Sequence, residues 1–142
     1  MKKTLLYIAS LLVAVLVLGA CTRNHGDIGI WFGTWHVEQI TVGGSPVNVE
    51  GDYFFQFQSH VFRVSRVYGH EQTEESFGSW EESEDGHMMT VNFPDPTVYY
   101  IVMPGLEASN AFTVTRTSSS DITFTKVDAA GTTYTYHLKK QP

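Results

Sequence analysis

Six histidines, one cysteine and fifteen carboxylates are the side chains through which this 142-residue chain could do chemistry. The histidines, His25, His36, His60, His70, His87 and His137, show none of the paired spacings that build a metal site on one element. His36 and Glu38 share a strand face, but a metal would need a third ligand beside them. Glu81-Glu82-Ser83-Glu84-Asp85-Gly86 is the densest acidic run. Its oxygens lack the regular spacing of a calcium loop, so it reads as a solvated hairpin turn. No Gly-x-Ser-x-Gly elbow is present, and the serines and threonines, Ser118 to Ser120 included, suit turns and outward strand positions. The expectation is a protein with no catalytic residues, no metal and no cofactor.

Cys21 has a different chemistry. Lys2 and Lys3 give a positive start, Thr4 to Val17 form an apolar stretch, and Leu18-Gly19-Ala20-Cys21 sets the only cysteine behind two small residues. This is the pattern of a bacterial lipoprotein signal, in which the cysteine is acylated, as with palmitate, and the preceding peptide is removed. The apolar run, roughly 16 residues, is short against the about 20 of a membrane-spanning helix. Residues 1–20 therefore read as signal peptide, and residues 21–29 as the lipidated cysteine and a polar tether. Thr22 stands where an aspartate would resemble an inner-membrane retention signal, and no acidic export run follows. The expected location is the cell outer membrane, facing the periplasm. Once Cys21 is acylated no thiol remains, so disulfides are excluded and the core alone must stabilise the fold.

Without Lys2 and Lys3, seven basic residues face fifteen acidic ones, a formal charge of −8. That sign is wrong for nucleic acid, whose binding rests on lysine and arginine neutralising phosphates. It also repels anionic headgroups, so membrane attachment should depend on the acyl chains.

Residues 30–142 must supply whatever positions a site, and they read as strands. Phe32-Gly33-Thr34-Trp35 opens the first, and alternation then puts Trp35, Val37, Gln39 and Thr41 on one face, His36, Glu38, Ile40 and Val42 on the other. A glycine two residues before the indole lets the backbone bend so that the ring can plug a barrel end. Gly43-Gly44-Ser45-Pro46 is a turn, and Tyr53 to Gln58 a strand with Tyr53, Phe55 and Phe57 together. Val61 to Tyr68 follows, then a polar stretch from Gly69 to Glu75 that reads as loop or ragged strand start. Phe77-Gly78-Ser79-Trp80 echoes the opening motif about 45 residues on, which a duplicated half-barrel would produce. His87 to Phe93 is a strand stopped by Pro94-Asp95-Pro96, and Val98 to Met103 is either a strand or the apolar wall of a crossing loop. Phe112 to Thr117, Ile122 to Val127 and Thr132 to Lys139 complete the set, joined by short turns. The expected fold is all-β, an antiparallel up-and-down β-barrel of about eight strands.

With Gly33-x-Trp35 on the first strand and a meander behind it, the mature chain resembles the bacterial lipocalin-like lipoproteins. The resemblance implies that Trp35 closes one end of the barrel and that a late-strand arginine, matched by Arg116, packs over it. It departs from typical lipocalins in its shorter length, its lack of disulfides and the absence of a helix after the last strand.

Eight strands enclose either packed side chains or one small ligand. The interior candidates are Trp35, Tyr53, Phe55, Phe57, Phe62, Trp80, Met89, Phe93, Phe112, Arg116, Phe124, Tyr134 and Tyr136. A hollow barrel would bind a small hydrophobic or amphipathic molecule. A filled one would serve as a protein-interaction or enzyme-inhibitor module, its acidic loops His70 to Glu75 and Glu81 to Asp85 meeting another envelope protein. Strand number permits both.

Overall fold

A computed structural model of the chain describes residues 2–10, 29–70, 72–94 and 103–142. Residues 2–10 are helical, and among the described residues no helix is long and apolar enough to cross a membrane. Cys21, the tether before Gly29, the Asp95-Pro96 stop and the stretch from Val98 up to Met103 lie outside the described residues.

Alternating side chains build the remainder as one curled sheet. A 3-10 turn, Gly29–Trp31, leads into β1 (Gly33–Val42), β2 (Ser45–Val47), β3 (Asp52–Gln58), β4 (Val61–Val67) and β5 (Thr73–Glu82). Then come β6 (Met88–Asn92), β7 (Ser109–Ser118), β8 (Asp121–Val127) and β9 (Thr133–Lys140). Every paired neighbour is antiparallel, and β1 pairs with both β3 and β9, so eight strands close into a barrel. The ninth, β2, is a short ribbon folded back on the end of β1. Closure leaves the barrel strands no edge along most of their length.

The strand limits correct the sequence in several places: Ser45 and Pro46, expected in a turn, pair with Val42 and Thr41 as part of β2, and β6 begins at Met88 rather than His87. The β1–β9 register shifts between Val37 and Gln39, which leaves Glu38 as an extra residue. A bulge of this kind advances the chain by one position, so Trp35, Val37 and Ile40 are buried while Glu38 and Gln39 are exposed. The expected face of Trp35, Val37, Gln39 and Thr41 therefore ends at Val37. Thr73 to Glu75, expected in a loop or ragged start, pair with β4 in register. Glu81 and Glu82, expected in a turn, continue β5 against Thr90 and Met89 of β6.

The echoed tetrapeptides occupy matching places. Gly33 pairs with Phe57, Phe57 with Phe62, and Phe62 with Gly78, so both glycines flank the β3–β4 hairpin in one cross-strand row. In each motif the phenylalanine, Phe32 or Phe77, is exposed and the tryptophan turns to the core.

Candidate functional site

The barrel axis is where a ligand would sit, and aromatic rings occupy it. Trp35, Tyr53, Phe55, Phe57, Phe62, Met89, Phe93, Phe112, Phe124 and Tyr136 are buried, while Trp80 and Tyr134 are half-buried against the same cluster. The Phe124 ring of β8 lies 5.0 Å from Phe112, 5.6 Å from Trp31, 6.2 Å from Phe55 and 6.4 Å from Phe57, centroid to centroid. Phe57 in turn lies 5.1 Å from Trp31, 5.2 Å from Phe62 and 5.3 Å from Trp80. Phe124 stacks on Phe112 and Phe55, and the other pairs are tilted or edge-on, all at contact distances. Rings from the entry turn and from β3, β7 and β8 thus meet at Phe124.

One end of the barrel, the floor, is closed by the entering chain. Trp31 is as buried as Trp35, and Trp35 Nε1 donates to the Trp31 carbonyl at 3.2 Å. The expected partner of Trp35 is corrected: Lys140, not Arg116, lies over its ring, with Nζ 5.6 Å from the centroid and donating to the Ile30 carbonyl at 2.7 Å. Arg116, expected in the interior, is exposed instead: it stands over Trp31 at 5.4 Å and ion-pairs with Glu82. The reason is register. Lys140 pairs directly with Trp35, whereas Arg116 pairs with Ile122. Trp31 and Lys140 escaped the sequence reading, although Lys140 continues the inward phase of Tyr136 and Leu138.

At the opposite end, the mouth, residues 103–108 lie over the interior. Met103 is buried and Leu106 packs on the core. Lys126, only 4% exposed, holds this segment: its ammonium donates to the Gly105 carbonyl at 2.6 Å, Asn110 Oδ1 at 2.9 Å and Glu107 Oε2 at 3.1 Å. All three of its protons are thereby used, the condition for burying an ammonium. The Tyr136 hydroxyl donates to the Pro104 carbonyl, and burial pushes that phenol far above its ordinary value. Gly105 has φ +80 and rests on two rings, where a Cβ would come within 2.4 Å of the Tyr136 hydroxyl. Lys126 and Asn110 were legible in principle, since each falls in the inward phase of its strand.

Outside the barrel, His36 meets Asp52 at 3.3 Å and His137 meets Asp121 at 2.8 Å, each an isolated pair. His36 is paired with Asp52, and no third ligand joins His36 and Glu38 among the described residues. Among the described residues no group of three or more histidines, cysteines or carboxylates could hold a metal ion. The acidic turn borders a groove of about 420 Å³ lined by Asp85, Gly86, His87, Val114, Thr115 and Arg116.

No family model matches the chain, and no curated protein matches it. Solved structures do. A lipocalin-like protein from Bacteroides uniformis superimposes with a TM-score of 0.61 at 19% identity, over 80% of this chain and 100% of its own. An uncharacterized protein from Bacteroides eggerthii gives 0.59 at 14% identity, over 78% of this chain and 99% of its own. The architecture is thus a lipocalin-like antiparallel barrel.

Proposed function

We propose that this chain is a lipid-anchored lipoprotein of the bacterial cell envelope whose barrel is a filled, non-catalytic scaffold for protein interaction or enzyme inhibition. The observation that carries the reading is the ring cluster around Phe124, which puts protein where a carrier would hold its ligand. A scaffold of this kind acts through its surface, and the surface chemistry is acidic. The anchor rests on the Leu18-Gly19-Ala20-Cys21 signal, and the absence of a catalytic constellation in the sequence supports the non-enzymatic role. Facing the periplasm from the outer membrane fits the residues after Cys21.

One feature favours a second reading, a carrier of a small hydrophobic molecule. The mouth is closed by a chain segment seated on Tyr134 and Tyr136 rather than by wall side chains, and a lipocalin-like barrel is consistent with such ligands. Native mass spectrometry of the chain, compared with its denatured mass, separates the two. The scaffold reading expects a bare mass. A reproducible excess lost on denaturation would overturn it in favour of the carrier.

A further inference from the structure

We infer that the free edge of β7 beside the acidic turn is a docking site for an extended, cationic peptide segment, an inference that rests on the interaction-module reading. β6 has five residues and β7 ten, so β7 outruns its partner. Their paired register ends at Met88 and Thr113, with one further bond from the Val114 N–H to the His87 carbonyl at 2.8 Å. Along an antiparallel strand, successive residues aim their backbone groups alternately at the two neighbours. Val114 aims at β6, so Arg116, two positions on, aims its N–H and C=O to the same side, and Thr115 aims at β8.

The return bond to Val114 is missing. His87 N–H donates instead to Asp85 Oδ1 at 3.0 Å, and the Ser83 hydroxyl donates to the same oxygen at 2.6 Å. The turn is therefore satisfied within itself and cannot extend β6 backward. Among the described residues nothing pairs with the Val114 carbonyl or with either backbone group of Arg116, and these face the groove of about 420 Å³. A shift in the β7–β8 register after Arg116 bounds this edge. Unpaired strand backbone is a template for an added strand.

Charge selects the occupant. Asp85 lines the groove and is exposed, as is Glu84 beside it in the turn, while Arg116, the permanently cationic side chain of the lining, is already paired with Glu82. The unneutralised field is negative, which attracts lysine- or arginine-bearing chain and repels phosphate.

The test uses the full chain in dodecyl maltoside, with the strand-forming peptide acetyl-(Lys-Val)4-amide as probe and its Glu-Val counterpart as control. Amide exchange by NMR should show the Arg116 N–H exchanging at least about tenfold faster than that of Thr115 in the free chain, as an unpaired amide does. The cationic peptide should slow it, and the acidic one should leave it unchanged. Arg116→Pro, which deletes the N–H, should weaken binding about tenfold relative to Arg116→Ala, which keeps it. An Arg116 amide already as protected as Thr115, peptide binding that leaves it unchanged, or equal binding by the two variants would overturn the inference. The exchange measurement needs no variant, so a proline substitution that fails to fold leaves it decisive. A protected Arg116 amide would leave the filled barrel standing, whereas a bound small molecule in the native mass would remove that reading instead.

Discussion

Trp35 shows what a single residue contributes. Its indole is fully buried between the Trp31 turn and the Lys140 ammonium, so Trp35→Ala should cost about 3–5 kcal/mol in chemical denaturation, the range for emptying a large aromatic site. A near-neutral midpoint would contradict the placement. Lys126→Met should cost about 1–3 kcal/mol, because the Gly105 carbonyl is left without its donor while Asn110 keeps the Glu107 N–H. Tyr136 sets an alkaline limit. Its folded phenol holds its proton more tightly than the unfolded one, which titrates near about pH 10. Stability is thus full below that value and falls as pH rises above it, and Tyr136→Phe should flatten the fall in a pH series of denaturation midpoints. The buried set was largely readable from alternation, since Phe55, Phe57, Phe112 and Phe124 lie in phase on their strands. Which cation covers which ring was not. That pairing depends on how far strands are staggered around the closed barrel, and stagger leaves no mark on any one strand.

Among the elements, β1 carries the sharpest expectation. Glu38 is the bulged residue, so removing it would restore strict alternation through Trp35, Val37, Ile40 and Val42 and a continuous register with β9. The Glu38 deletion should fold, with its denaturation midpoint close to that of the parent chain. Deleting Ile40 instead should send Thr41 inward and abolish the cooperative transition. Equal damage from both deletions would show that the bulge itself is required. Most strands were legible as alternating runs bounded by Gly, Pro, Asn and Asp. The bulge was hidden because Gln39 and Thr41 continue the apparent alternation from Val37 in sequence. The end of β6 was hidden for another reason: His87 would extend the strand, and only the capture of its N–H by Asp85 stops it.

For the whole molecule, the proposed anchor at Cys21 can be tested separately from the barrel. Cys21→Ser should abolish incorporation of labelled palmitate and release from the membrane fraction should follow, while the barrel's denaturation midpoint stays unchanged. Loss of the fold in that variant would tie the barrel to its anchor. The acidic surface and its densest run, Glu81 to Asp85, were readable from the sequence, but which carboxylates stay unpaired was not, because Glu82 turns to Arg116 while Glu84 and Asp85 face solvent. The seam between β1 and β9 has a consequence in time. It joins residues about a hundred positions apart, from Trp35 against Lys140 to Val42 against Tyr134. Under the export proposed above, a chain threaded N-terminus first would deliver one side of that seam early and the other last. The first strand must wait, unpartnered on one flank, until β9 has emerged. Closure is then a late, non-local step, slow relative to the local hairpins, and the interval before it is when the nascent protein depends most on whatever shields it from its neighbours.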